Sequence, residues 1–533
     1  MDTGARLSEA SEARFACYIE GLASVLCHAD RVEPLGEYCR GLLLPGERKS
    51  VEPMAAKIAP GRTAAKHQSL LHFVGDSAWS DEAMLAKVRE LVLPAIETQG
   101  GIEAWIVDDT GFPKKGVHSV GVARQYCGRL GKTDNCQIAV TLSIANHAAS
   151  VPISYRLYLT DDWAGDAARR EKVHVPAEVK FQTKPEMALD QIRAARAAGV
   201  APGVVLADAA YGTIGAFRAG VTAMGLLYAV AVQANTSVWK PGVEPGPKKR
   251  SGRGRARALL RGEAEPKPVS VKELAMSLPA SAWTEVAWRE GSNATLESRF
   301  AALRVRPASS RDKAGALAPH EWLLIEWPED EKQPTKYWLS TLPEDTLLVA
   351  LVDTAKLRWR IERDYQELKS ELGLAHFEGR GWRGFHHHAT LCIAAYGFLI
   401  RERAAFPPSG PWRCKEPALS DGPRRRGSPD PNREARSKLD CDRARNTHHR
   451  PRQIPAAAPM LPDRMAATRS RIFAYDTVEL GFGVGIAPMA MRRSARSASR
   501  AAATTLRIPT QSGHRFRFEA GRRSEMKPAT IPK

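Results

Sequence analysis

The sequence predicts a mixed α/β protein with an N-terminal helical domain and a strand-rich insertion. Apolar residues recur at helical spacing through residues 1–95, and from residue 103 the hydrophobic pattern changes to a period of two. Strands then alternate with helices from 185 to 232. The 533 residues, 43% hydrophobic and 26% charged, are enough for about three domains and exclude a small disulfide-stapled scaffold.

The N-terminal region, residues 1–100, contains a helix over about 64–74 and another that begins near 81, with a turn between them. Such a pair predicts either a helix-turn-helix unit that binds DNA or a plain helical bundle.

The middle of the chain is expected to form the sheet. Strands are predicted over 104–108, 119–127, 136–145, 151–159, 204–208 and 226–232, and helices over 185–198 and 214–224. Residues 240–268, rich in proline, glycine and basic side chains, are expected to form a flexible loop. Residues 269–342 look strand-rich, and helices are expected over about 354–372 and 386–404.

The last segment, residues 407–533, differs in composition. It holds 26 basic and 11 acidic residues, and therefore most of the net charge of +19. It is expected to be either a disordered basic tail or an extension translated out of frame.

Cysteine spacing and hydropathy suggest the compartment. The eight cysteines include no C-x-x-C pair, which favours reduced thiols over a zinc site or a disulfide framework. The N-terminus lacks a signal-peptide pattern, and no run reaches 18 apolar residues. A cytoplasmic protein without a membrane partner is expected.

Two strands are followed by acidic residues. Asp108 and Asp109 end the apolar strand AWIV before the turn-like sequence TGFPKKG, and Asp208 ends the strand VVLA. A carboxylate at the end of a buried strand lies on a rigid element beside a crevice. Each of them alone is more often a turn residue or a helix cap.

Glu362 lies on the helix predicted over 354–372. An apolar stripe of that helix is flanked by a second stripe that contains Arg358, Glu362 and Lys369. For this helix alone, a surface ion pair between Arg358 and Glu362 is the simpler interpretation. Together, however, two strand-end aspartates and a helix glutamate suit Mg²⁺ or Mn²⁺, and two such ions can catalyse phosphodiester chemistry.

His386, His387 and His388 point about 100° apart from one residue to the next, so they are expected to be polar or DNA-facing residues rather than ligands.

Three sequence blocks, WIVDDTGFPKKGVHSVGVARQYCG (105–128), VVLADAAYG (204–212) and RWRIERDYQELKSELGLAHFEGRGW (358–382), resemble those of insertion-sequence transposases with an Asp-Asp-Glu triad. The third block is similar to the Tyr-Arg-Glu-Lys signature of one branch of this DDE superfamily. Arg358, Glu362 and Lys369 have its spacing, whereas Ala355 stands where the tyrosine is expected.

The resemblance implies a ribonuclease H-like core in which Asp108, Asp208 and Glu362 bind Mg²⁺, with Mn²⁺ as an alternative. Asp109 is the rival for the first ligand, and Arg358 and Lys369 are expected to contact DNA phosphates. The predicted domains are 1–100, which binds DNA; 101–235 and 336–406, the two parts of the core; 236–335, the insertion with its basic loop; and 407–533, the tail.

The function implied is that of a metal-dependent transposase and endonuclease. It would cleave the terminal inverted repeats of an insertion sequence and join them to target DNA, as a dimer on double-stranded DNA. Two alternatives remain open at this point: a ribonuclease H-like nuclease that does not join ends, and an inactive DNA-binding relic of a mobile element.

Overall fold

The computed structural model describes residues 2–243, 245–247, 264–290, 295–309, 312, 317–407, 477–482 and 504–509. The helices are α1 (Asp2–Ala23), α2 (Val32–Leu43), α3 (Val51–Ile58), α4 (Thr63–Gly75), α5 (Asp81–Glu97), α6 (Asp161–Gly165), α7 (Ala167–Lys172), α8 (Lys184–Ala197), α9 (Ala209–Gly212), α10 (Gly215–Ala223), α11 (Val271–Met276), α12 (Leu348–Lys356), α13 (Trp359–Ser370) and α14 (Trp382–Ala405).

The strands are β1 (Ala104–Pro113), β2 (Ala123–Cys127), β3 (Lys132–Ala145), β4 (Ser150–Leu157), β5 (Val204–Ala207), β6 (Tyr228–Val232), β7 (Ser237–Trp239), β8 (Gly246–Pro247), β9 (Ala264–Glu265), β10 (Val269–Ser270), β11 (Thr284–Glu290), β12 (Thr295–Pro307), β13 (Glu321–Trp327), β14 (Lys336–Ser340), β15 (Thr477–Phe482) and β16 (Thr504–Pro509).

A large mixed sheet organises the chain. Its strand order is β10-β7-β12-β13-β14-β6-β5-β1-β3-β2, with β11 added on β12 and β4 added on β3. β1 is parallel to β5, which is parallel to β6, whereas β1 is antiparallel to β3 and β3 to β4. The fold is therefore a mixed α/β fold, as the sequence predicts. The strands predicted over 136–145, 151–159, 204–208 and 226–232 correspond to β3, β4, β5 and β6.

The strand-rich segment continues this sheet. β14 pairs with β13 on one side and with β6 on the other, so the insertion strands are hydrogen-bonded to the core strands. The face of these strands that carries Phe300, Leu324 and Trp338 packs against α12. Lys356 of α12 donates a hydrogen bond to Glu326 Oε1 at 2.7 Å and lies 4.0 Å from the ring centroid of Trp288.

The first strand extends further than the sequence suggests. The expected turn at 110–113 is wrong, because β1 continues to Pro113 and pairs with β3 along its whole length. Its pairing with β5, in contrast, covers only Ala104 to Ile106. Beyond Ile106, one edge of β1 is thus free of its parallel neighbour, and Asp108 and Asp109 lie in that part of the strand.

The helix predicted over 354–372 is divided into α12 and α13. At the junction the backbone hydrogen bonds span three residues, from Arg360 N–H to Leu357 O (3.1 Å) and from Ile361 N–H to Arg358 O (3.2 Å). This tighter turn interrupts the α-helix at Leu357 and Arg358. The predicted apolar stripe is nevertheless buried, and consists of Leu357, Ile361, Leu368 and Leu372.

The N-terminal helices pack on α14 and share one hydrophobic cluster with the sheet. Arg14 of α1 forms two hydrogen bonds with the Glu402 carboxylate, at 2.8 and 2.7 Å. Gly397 permits close contact at this interface, because a Cβ there would lie 2.8 Å from Val92 and 2.9 Å from the Tyr18 hydroxyl. The N-terminal boundary at residue 100 stays a prediction.

The three consecutive histidines of α14 are buried polar residues, at 2–4% exposure, so of the two expected roles the DNA-facing one is wrong. His386 Nε2 accepts a hydrogen bond from Leu157 N–H at 3.2 Å. His387 Nε2 lies 2.9 Å from Trp79 O, and His388 lies 2.9 Å from the Tyr38 hydroxyl. They are therefore structural residues that join α14 to α2, β4 and the turn before α5.

Two predicted segments fall largely outside the described residues. These are the basic loop within 240–268 and the tail 407–533, of which the structure describes two antiparallel strands, β15 and β16. Among the residues that are described, no helix is both long and apolar enough to cross a bilayer.

The buried histidines predict a loss of stability in acid. Burial lowers the pKa of both His387 and His388 to about 4, below the ordinary 6.5. The unfolded chain therefore binds more protons between these pH values, and stability falls as the pH decreases from about 6.5 to about 4. In urea unfolding over this range, His388→Gln should weaken the pH dependence by up to about 1.4 kcal/mol per pH unit.

The exposed His118 provides the matched control, because His118→Gln changes a histidine that packs against no core. This variant should keep the pH profile of the parent. An equal effect of the two substitutions would contradict the burial argument.

Candidate functional site

The two adjacent aspartates of β1 take different partners. Asp108 Oδ2 accepts a hydrogen bond from Arg358 Nη1 at 2.9 Å, and Asp109 Oδ2 accepts one from Lys184 Nζ at 2.8 Å. Successive side chains of a strand point to opposite faces, which explains why each aspartate meets a different helix. Asp108 is thus the aspartate that contacts the segment containing Glu362.

Asp208 follows the parallel strand β5, as the sequence predicts. Its carboxylate caps the short helix α9, because Oδ1 accepts hydrogen bonds from Ala210 N–H at 2.9 Å and Tyr211 N–H at 3.4 Å. Gly212 ends this helix against β6, where a Cβ would collide with the carbonyl oxygen of Ala231. The sequence DAAYG therefore holds Asp208 at the end of β5.

Arg358 directly precedes α13, and Glu362 lies in the first turn of that helix. Arg358 Nη2 donates to Glu362 Oε1 at 2.7 Å, while Nη1 of the same guanidinium binds Asp108. The ion pair expected on this helix is therefore present, but it is part of a bridge between α13 and β1. Glu362 is 57% exposed, whereas the side chains of Arg358 and Asp108 are 25% and 15% exposed.

The surroundings of Asp108 and Asp208 raise the pKa of both carboxyl groups. Burial raises the pKa of Asp108 to about 7; the positive charge of Arg358 opposes this shift, and the negative charges of Asp208 and Asp109 add to it. Burial likewise raises the pKa of Asp208, and Arg358 opposes the shift. Arg358 is thus the cation that offsets several carboxylates at once.

Lys369, the other cation of the predicted signature, binds a backbone group. Its Nζ donates to Gly111 O of β1 at 3.0 Å and lies 4.9 Å from the ring centroid of Phe112. Burial lowers its pKa to about 8, with a further lowering by Arg129. Lys369 therefore joins α13 to β1 beyond Asp109.

The same region holds residues that the sequence argument missed. Asp364 of α13 is buried and accepts hydrogen bonds from Ser150 Oγ at 2.6 Å and the Tyr396 hydroxyl at 2.9 Å. Lys184, the partner of Asp109, begins α8 after a capping box formed by Thr183 and Glu186. The capping sequence was a signal for the start of α8, but the pairing of Lys184 required the fold.

In the described part of the chain, no three histidine, cysteine, aspartate or glutamate side chains are grouped closely enough to hold a metal ion. Arg358 instead binds Asp108 and Glu362, so these two carboxylates share the charge of its guanidinium. The donor set still fits Mg²⁺ or Mn²⁺, since it consists of carboxylate oxygens whose burial with like charges favours a bound cation.

Acidic residues thus lie in β1, directly after its parallel neighbour β5, and in the first turn of α13. A family model for the DDE superfamily endonucleases matches residues 21–295, and the chain belongs to this family. The matched range includes Asp108 and Asp208 and ends before Glu362.

A curated relative supports the same assignment. The chain is similar to a probable transposase for insertion sequence element IS701 of Microchaete diplosiphon, with 33% identity over 169 residues. The match covers 32% of this chain and 41% of the relative, so it spans less than half of the relative's length.

The bridge formed by Arg358 predicts energetic coupling between β1 and α13. In a double-mutant cycle measured by urea unfolding in EDTA, Arg358→Ala and Asp108→Asn should show a coupling of about 1–2 kcal/mol, because the pair is largely shielded from water. The control cycle with Asp109→Asn should give a coupling below about 0.5 kcal/mol, since Lys184 is the partner of Asp109. Equal coupling in both cycles would contradict the assignment of partners.

Proposed function

We propose that this chain is a DNA transposase that cleaves the ends of an insertion sequence and joins them to target DNA. The observation that carries the proposal is that the guanidinium of Arg358 is hydrogen-bonded to both Asp108 and Glu362, two carboxylates that lie far apart in the sequence. Asp208 is coupled electrostatically to the same guanidinium. Three acidic residues from the three blocks of the family pattern thus share one cation.

A ribonuclease H-like core is part of this proposal. The order β4-β3-β1-β5-β6 supports it, because the antiparallel hairpin β3–β4 lies on one side of β1 and the parallel strands β5 and β6 lie on the other. The insertion between β6 and β14, at 236–335, and the second core segment, at 336–406, are consistent with this arrangement.

Asp108, Asp208 and Glu362 are the residues proposed to hold Mg²⁺ or Mn²⁺. Bound divalent ions would supply charge stabilisation at the phosphate and lower the pKa of the attacking water or 3′-hydroxyl. Arg358 would then exchange its carboxylate partners for a phosphate next to the scissile bond, for which its planar fork of N–H donors is well suited. Lys369 would supply a second positive charge on the same side of α13.

The proposed partners are double-stranded DNA with the terminal inverted repeats, target DNA and a second copy of the chain when DNA is bound. Residues 1–100 are proposed to contribute to DNA binding. The contact of these helices with α14 supports a fixed connection between them and the core.

The acidic residues give the first test of this function. Asp108→Ala, Asp208→Ala and Glu362→Ala should each abolish Mg²⁺-dependent cleavage of end-containing duplexes, because each removes a ligand, and leave end binding measurable. Asp109→Ala is the matched control and should retain cleavage. An inactive Asp109→Ala beside an active Asp108→Ala would assign the first ligand to Asp109.

The products distinguish the alternatives. Cleaved ends that never join a target plasmid would support a nuclease without joining activity. Binding of end DNA without any cleavage, in the parent protein with Mg²⁺ and with Mn²⁺, would support an inactive relic.

The cations of the signature give a second test. Arg358→Lys should slow cleavage because lysine cannot make a bidentate phosphate contact, whereas Lys369→Arg should be tolerated better than Lys369→Ala. Each alanine variant should reduce the slope of log K against log salt by about 0.9, the value for one phosphate contact. Parent rates and parent slopes for Arg358→Ala would show that its ion pairs serve stability alone.

A further inference from the structure

A tryptophan beside Glu362 is contacted by two arginines from different parts of the chain. The guanidinium carbon of Arg289 lies 4.0 Å from the ring centroid of Trp359, and that of Arg360 lies 4.5 Å from it. Arg289 belongs to β11 of the insertion, whereas Trp359 and Arg360 belong to α13. The insertion therefore contacts α13, the helix that carries Glu362, where Arg289 and Arg360 both stack on Trp359.

The backbone of β11 explains how Arg289 reaches this position. The pairing register with β12 shifts between Ala287 and Arg289, so Trp288 is an extra residue in the strand. Such a bulge changes the direction of the side chains that follow it. As a result two consecutive side chains contact the helical segment, Trp288 at Lys356 and Arg289 at Trp359.

Neither guanidinium group forms an ion pair in the part of the chain that the structure describes. The two side chains form no hydrogen bond within that part, and Arg360 Nε is buried without a partner. The other arginines of this helical segment are paired, Arg358 with Asp108 and Glu362, and Arg363 with Glu367. Arg289 and Arg360 are close enough to repel each other electrostatically.

Two like charges on one ring repel each other. Stacking, solvent and the negative charge of Asp364, which acts on Arg360, offset this repulsion, and an anion between the two guanidinium groups would relieve it further. Stacking occupies the flat face of a guanidinium and leaves its N–H donors, which lie in the plane, available. A phosphodiester oxygen is an acceptor that such donors bind well. The negative charge of Glu362 acts on Arg289, which locates this anion site next to the acidic residues.

We propose that Arg289 and Arg360, stacked on Trp359, form a clamp for a backbone phosphate of the DNA strand that enters the site. The clamp rests on the proposed DNA function and adds a contact from the insertion to it. It binds the phosphodiester without regard to base sequence, because its donors face an anion and not the edge of a base. Its role is to position the strand relative to Glu362.

The test measures binding of the full-length protein to a duplex carrying the element's own terminal repeat, by fluorescence anisotropy in EDTA over a series of salt concentrations. Arg289→Gln and Arg360→Gln should each reduce the slope of log K against log salt by about 0.9, and the double variant by about 1.8. Arg289→Lys retains the charge and should restore the slope. If Arg289→Gln fails to fold, Arg360→Gln still tests the clamp.

Arg304→Gln is the matched control. Arg304 is also an insertion arginine near a tryptophan, at 5.2 Å from the ring centroid of Trp322, but it is hydrogen-bonded to His320 O and paired with Glu344. This variant should keep the parent slope. Parent slopes in all of the glutamine variants would overturn the clamp.

A neutral methylphosphonate at successive positions near the cleavage site then locates the contact. At one of these positions, the parent and Arg289→Gln should bind the modified duplex with equal affinity, because the modification has already removed the contact. If no position gives equal affinities, the clamp is wrong. If the parent prefers terminal-repeat DNA and cleaves it through Asp208 while the slopes stay unchanged, the clamp alone is wrong. If the parent shows neither preference nor cleavage, the transposase proposal is wrong.

Discussion

Charge compensation by Arg358 is the interaction on which the site depends. β1 places two aspartates in its centre and β5 directs a third toward them, so negative charges accumulate where water is scarce. Removing a carboxylate from water costs free energy unless a cation compensates it. The chain supplies that cation from α13, and the helix that carries Glu362 is thereby drawn onto the sheet.

The break between α12 and α13 separates two packing environments. α12 packs against the insertion strands, whereas Leu357 and Ile361 pack against the core strands. Past the tight turn, Ile361 and Leu368 are buried in the core while Arg358 reaches Asp108. Asp364 and Lys369 then hold α13 on β4, α14 and β1 through hydrogen bonds.

Much of this architecture follows from sequence patterns, since alternating apolar residues identify β3 to β6 and helical spacing identifies the stripe of α13. The extension of β1 was hidden because Gly111 and Pro113 resemble turn residues. Gly111 stands in the strand for a packing reason, as a Cβ there would lie 2.8 Å from Cys127 Sγ. The break in the helix at Leu357 has no proline or glycine to mark it in the sequence, and the contact between Arg289 and Trp359 follows a strand bulge. Such features arise from tertiary packing, which periodicity within a segment does not encode.

The pairing of β14 with both β6 and β13 has a mechanical consequence. An insertion joined to its core only by loops would swing as a separate flap. Here a ladder of backbone hydrogen bonds runs from β12 through β14 and β6 to β5, the strand that ends at Asp208. A force applied to the insertion strands is therefore transmitted through the hydrogen bonds of one continuous sheet to the strand that precedes Asp208.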